Sequence, residues 1–163
     1  MVFDSMLKKL LAVVLSCGMV LPLNGCADKY DFNAMYDNDS EIVAAEDVYS
    51  VSIYSFRSDD NGTKIHTGSF VGVKTLWDAD VYRDCDIDII YTLSVRKGGR
   101  AKIVLVTPED EVIILAENTD NTVTDVLETQ TVSLGIGYNS IKLVGAESPA
   151  IDLVLRVKPT GMW

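Results

Sequence analysis

From Cys85 to Val95 the chain alternates with a period of two. Cys85, Ile87, Ile89, Tyr91, Leu93 and Val95 fall on one side, and Asp86, Asp88, Ile90, Thr92 and Ser94 on the other. A helix would scatter those apolar residues around its circumference, whereas a strand collects them on one face. This segment is therefore a half-buried strand. An isolated strand or hairpin is marginal in water, so partners are required.

The partners are legible on both sides. Val48 to Phe56 is rich in Val, Ile, Tyr and Ser, and Asp59-Asp60-Asn61-Gly62 then supplies a hairpin turn. Lys64 to Trp77 is a second extended stretch, with Gly68 or Gly72 as the site of a break or bulge. Lys97-Gly98-Gly99-Arg100 turns into Ala101 to Thr107, and Pro108-Glu109-Asp110 turns into Glu111 to Glu117. Thr129 to Leu134, Ser140 to Gly145 and Ala150 to Lys158 complete the set. Eight or nine strands with turns roughly every 10 residues give an all-β chain, an antiparallel β-sandwich. A jelly roll of two sheets is the expected architecture, and an immunoglobulin-like sandwich the alternative. The domain spans 48–158, followed by a short tail, 159–163.

The amino-terminal segment has a different grammar. Lys8 and Lys9 precede an apolar run whose core, Leu10 to Val20, has 11 residues. A membrane-spanning helix needs about 20 residues, whereas a signal-peptide core has this shorter length. Asp4 is out of place before such a run, which makes Met6 the better start. Leu23, Asn24, Gly25 and Cys26 close the segment. This resembles the lipobox of bacterial lipoproteins, although Asn24 stands where Ala, Ser or Thr is usual. The resemblance implies that residues 1–25 are a leader, and that Cys26 is acylated and anchors the chain in a lipid bilayer. Two or three acyl chains hold a protein stably without a transmembrane helix, at about 0.8 kcal/mol per buried CH₂. The implied location is the outer face of the cell membrane, or the outer membrane in a cell with two, because Ala27 rather than Asp follows the Cys.

Residues 26–47 carry Asp28, Asp31, Asp37, Asp39, Glu41, Glu46 and Asp47 against Lys29 alone. Tyr30, Phe32, Met35 and Tyr36 are scattered without sustained periodicity. The segment is expected to be an acidic flexible tether, with at most a short helix near Ser40 to Glu46.

Near the carboxyl end, Gly137, Asn139, Ile141 and Asp152 fall into a pattern of glycine turn, apolar strand and acidic last strand. About 25 residues here are similar to the second half of galactose-binding-like jelly rolls, the group that includes carbohydrate-binding modules. The resemblance implies the jelly-roll fold and, more weakly, binding of a sugar.

Chemistry is sparse. The net charge is -10, with 14 Lys and Arg against 24 Asp and Glu. A chain this acidic is not a nucleic-acid binder. One histidine, His66, rules out most His-based catalytic sites and zinc cages, and no Gly-x-Ser-x-Gly elbow exists. No catalytic residues are expected. Asp78, Asp80, Asp84, Asp86 and Asp88 crowd one stretch and are weak candidates for a Ca²⁺ site. The acidic loop Glu117 to Asn121 is another. Cys85, in phase with Ile87 and Ile89, should be a buried and inert thiol. The aromatic residues offer the best binding candidates: Tyr82 and Tyr138 in loops, Trp77, Tyr54, and the terminal Trp163. The expected function is non-catalytic recognition of a glycan by a lipid-anchored domain. The alternative is an accessory lipoprotein that docks on an envelope protein.

Overall fold

The strand Gly62–Val81 (β2) is 20 residues long, and that length organises the molecule. It runs in a computed structural model that describes residues 30–59, 62–124 and 126–160. The apolar leader, Cys26 and Trp163 lie outside the described residues. The other strands are Val48–Asp59 (β1), Cys85–Lys97 (β3), Arg100–Val106 (β4), Val112–Thr119 (β5), Glu128–Leu134 (β6), Gly137–Ala146 (β7) and Ala150–Pro159 (β8). All strand pairings are antiparallel.

Along one edge of β2, Thr63 to His66 pair with β8 and Gly72 to Val81 pair with β7. β2 thus passes from one layer into the other. The first layer has the order β5-β4-β7-β2, and the second β2-β8-β3-β6, with β1 on the far edge of β2. Strands from the second half of the chain interleave with those from the first in both layers. This is the connectivity of a jelly roll.

The core lies between the layers. Ile89, Leu93 and Val95 of β3 meet Ile103 and Leu105 of β4, Ile141 and Leu143 of β7, and Ile151 and Leu153 of β8. The alternation beginning at Ile87 is the sequence pattern that builds this face.

The second apolar cluster corrects the expectation of a flexible tether. β4 and β7 are buried on both faces, so Val104, Val106, Val144 and Ala146 would otherwise look outward from the first layer. Residues 31–47 cover them. Two short helices form there, Phe32–Met35 (α1) and Asp39–Val43 (α2). Asp31 caps the first, its carboxylate accepting from the amides of Asn33 and Ala34, and Asn38 caps the second. Tyr36 and Ile42 become fully buried on the sheet. The physical reason is the sheet itself: burying its apolar outer face outweighs the cost of ordering an acidic segment. Among the described residues no helix is long and apolar enough to cross a membrane.

Candidate functional site

β1 pairs only with β2, so the sandwich is open along that side. One lip of the opening is β1 and the other is the second half of β2. The side chains that reach it depend on a break in alternation. Val51 lies opposite the core residue Phe70, and Phe56 lies opposite the core residue Ile65. Phe56 is five positions after Val51, so uninterrupted alternation would put them on opposite faces. Ile53 has φ 47 and faces Gly68, whose missing Cβ leaves room for the Ile53 side chain. The phase changes there, and Tyr49, Tyr54 and Phe56 all come to the inward side while remaining 37–45% exposed.

The result is a row of rings. Tyr54 and Phe56 lie 6.1 Å apart with an interplanar angle of 21°, and Tyr49 stacks on Phe70 at 5.9 Å. From the facing lip, Lys74 brings its Nζ to 4.7 Å from the centre of the Tyr49 ring and 5.8 Å from that of Phe56. Partial burial raises the Tyr54 hydroxyl above its ordinary value, with Lys74 opposing and Tyr49 adding to the rise. Near the carboxyl end of β1 lies a cleft of about 300 Å³. It is lined by Ser58, Asp59, Thr63, Trp77, Arg156 and Lys158 among others. The indole of Trp77 packs partly against the core as its strand runs opposite Ile141. Flat apolar rings, with hydroxyls and groups of both charges nearby, suit a ligand with both apolar and hydroxyl-rich faces.

On the outer face of the second layer, His66, Asp152 and Arg96 come together. His66 Nδ1 is 2.6 Å from one carboxylate oxygen of Asp152, and Arg96 Nε is 2.5 Å from the other. Arg96 also donates to the Thr67 carbonyl at 3.0 Å. β2, β8 and β3 place the three side by side, because His66 is registered with Asp152 and Asp152 with Ser94. The sequence gives no hint of this partnership, since the three residues are far apart in the chain.

The aromatic candidates separate. Tyr54 belongs to the ring row and Trp77 to the cleft. Tyr82 is 90% exposed in the turn between β2 and β3. Tyr138 sits across the sheet from Asp80, and its hydroxyl is raised by burial and by Asp78. The phase change at Ile53 hides Tyr49, which plain alternation puts on the face opposite Tyr54 and Phe56.

The acidic candidates do not converge. Asp78 and Asp80 lie on β2, opposite Ser140 and Tyr138, and Asp84 stands in the turn before β3. Asp86 accepts from the Ser133 hydroxyl at 2.7 Å, and Asp88 from the Thr131 hydroxyl at 2.7 Å. Among the described residues no group of three or more metal-ligating side chains forms. The expected Ca²⁺ site at Asp78, Asp80, Asp84 and Asp86 therefore does not assemble: Asp78 and Asp80 share one face of β2, but Asp84 lies in the turn beyond it and Asp86, on β3, is engaged by Ser133. In the Glu117 to Asn121 loop, Glu117 accepts from the Tyr36 hydroxyl and Asp120 from the Gly98 amide, both structural ties. Cys85 is exposed rather than buried. It lies opposite Leu134 of β6 at the very start of β3, where the β8 register has already ended at Ile87.

The glycine-turn pattern proves structural. Asn139 is fully buried and its amide donates to the carbonyls of Gly135 and Gly137 at 2.9 and 3.0 Å, while Ile141 lies in the core.

No protein-family model matches the chain, and no curated protein matches it. Among solved structures, it is similar to a carbohydrate-binding module of family 29, at 12% identity and TM-score 0.41, covering 71% of this chain and 78% of that one. A family 4 carbohydrate-binding module shares 15% identity with TM-score 0.40, over 69% of this chain and 78% of that one. A family 6 module from Cellvibrio mixtus lichenase 5A shares 13% identity with TM-score 0.39, over 69% and 90%. That module was solved with cellotriose, a ligand that belongs to that protein alone.

Proposed function

We propose that this chain is a lipid-anchored envelope protein whose jelly roll is a non-catalytic module for binding glycans. The observation that supports it most is the trough along β1, where Tyr49, Tyr54 and Phe56 stay 37–45% exposed beside hydroxyl groups and a cleft. Exposed rings are costly to keep in water without a partner that covers them. A pyranose ring presents an apolar face of C–H groups to an aromatic ring, and its hydroxyls reach the polar rim. Such a site binds without transforming its ligand, and His66 is held by Asp152 on a different face.

The anchor rests on Lys8, Lys9, the apolar run and the Leu23 to Cys26 box. If Cys26 carries the lipid, only a few residues separate it from Asp31, where the folded unit begins. Five extended residues reach about 17 Å. The domain would then ride close to the membrane, not on a long stalk.

Two experiments test the reading. A glycan array probed with the purified protein is expected to show a defined set of hits that Tyr54→Ala and Phe56→Ala remove with the fold intact by circular dichroism. An array without hits overturns glycan binding and leaves docking on an envelope protein as the alternative. Labelling cells with a clickable fatty acid is expected to mark the wild type and spare Cys26→Ser. Absence of label from the wild type overturns the anchor.

A further inference from the structure

We infer that the ligand of the trough is an acidic saccharide, one bearing a carboxylate or sulfate, and that Lys74 is the residue that selects it. This rests on the glycan-binding reading above. The Lys74 side chain is only 16% exposed, yet it lacks a full set of partners. Its nearest carboxylate oxygen, on Asp47, is 3.9 Å away, beyond hydrogen-bond reach. The other Asp47 oxygen already accepts from the Thr75 amide and hydroxyl, each at 2.8 Å. The one hydrogen bond from the Lys74 ammonium goes to the Tyr49 hydroxyl, at the long distance of 3.5 Å.

An ammonium has three donors, and this one has a single long hydrogen bond and a carboxylate just outside hydrogen-bond reach. The Tyr49 and Phe56 rings compensate in part, because their faces attract a cation. A ligand anion arriving over those rings would supply what is missing, with a charge-assisted hydrogen bond in a place where water is partly excluded. The cleft beside Trp77 carries both signs of charge: Asp59, Arg156 and Lys158 all contribute to its lining. A neutral sugar would use the rings and leave the Lys74 ammonium with its one long hydrogen bond.

The test is titration calorimetry of the purified protein with matched neutral and uronate-containing oligosaccharides, comparing wild type, Lys74→Gln and Tyr54→Ala. The expected result is at least tenfold tighter binding of the acidic ligand by wild type. Lys74→Gln should lose that preference while keeping residual affinity for the neutral one. Tyr54→Ala should weaken both alike. Equal affinity for the two ligands, or a preference that survives Lys74→Gln, overturns the selection by Lys74 and leaves glycan binding standing. No binding of either ligand overturns both. A sulfated oligosaccharide in a third arm separates charge from carboxylate shape. Equal gains for sulfate and uronate are expected of a lysine, which acts as a point charge.

Discussion

The ammonium of Lys142 donates to the carbonyl oxygen of Ile42 at 2.8 Å, joining residues 100 positions apart in the chain. It also donates to the Ala44 carbonyl at 2.6 Å. Lys142 rises from the middle of β7 beneath α2 and ties off the carboxyl end of that short helix. Around the same cover, Tyr36 is held between Arg100 and Lys102, whose charges lie 4.2 and 4.6 Å from its ring centre, and its hydroxyl donates to Glu117 at 2.8 Å. The amino-terminal segment is clasped, not laid loosely, on the sheet.

Lys142→Met is therefore expected to destabilise the domain by about 2–3 kcal/mol, since two charge-assisted bonds go and two carbonyls lose their donor. Urea unfolding followed by circular dichroism measures it. If the loss is confined to the clasp, amide exchange will speed up in residues 31–47 while the β3 amides stay protected.

The clasp also sets the response to alkali. Burial first, then the hydrogen bond to Glu117, pushes the Tyr36 hydroxyl far above its ordinary value of 10.0. A group whose pKa is higher folded than unfolded stabilises fully below the unfolded value, and that stability is lost as pH rises past it. Stability should thus hold to about pH 10 and fall above it. Tyr36→Phe should lower stability at neutral pH and flatten the alkaline fall, as read from melting temperatures between pH 8 and 11. Lys142, whose pKa is lowered by burial, acts with the opposite sign, so the comparison of wild type with Tyr36→Phe isolates the tyrosine.

These two residues also mark where sequence reasoning stops. The strands are legible because period two survives wherever one face is wet, as from Ile87 to Leu93. Their number and turns lead to the jelly roll. The cover over the first layer is not legible in residues 31–47, whose acidity points to disorder. Its signal lies instead in β4 and β7, where Ile103 to Val106 and Ile141 to Val144 are apolar or buried without alternation, the mark of strands covered on both faces. The trough is harder still. Trp77 and Tyr54 are visible as aromatic candidates, and Phe56 follows Tyr54 by two, but Tyr49 joins their face only because Ile53 takes a positive φ, a backbone choice that no local composition announces. The pairing of His66 with Asp152 depends on strand register alone.

That last pair should contribute little to stability. The side chains of His66 and Asp152 are 49% and 43% exposed, so solvent screens their attraction. Asp152→Asn is expected to cost no more than about 1 kcal/mol by urea unfolding, despite short distances to both His66 and Arg96. A larger loss would mean that the three residues act as one network.

Cys85 should behave as an accessible thiol. Native protein treated briefly with a maleimide is expected to carry the adduct on the peptide containing Cys85, found by mass spectrometry, and Cys85→Ser should abolish that signal. Protection of Cys85 until denaturant is added would contradict its exposed position at the start of β3.

The turn before β7 offers a paired test of conformational strain. Gly137 has φ 124, and a Cβ there would lie 2.9 Å from the Cβ of Pro108. At Gly135 the same atom would meet nothing closer than 3.9 Å. The amide of Asn139 donates to both glycine carbonyls, so the turn cannot relax without breaking a buried hydrogen bond. Gly137→Ala is expected to cost about 1–3 kcal/mol, because an L side chain must hold a disfavoured backbone conformation against a proline ring. Gly135→Ala should be neutral or stabilise by about 0.4–1 kcal/mol, through the lower entropy of its unfolded chain. Equal effects at the two positions, read from thermal unfolding, would show that the turn yields and that the Asn139 latch does not hold it.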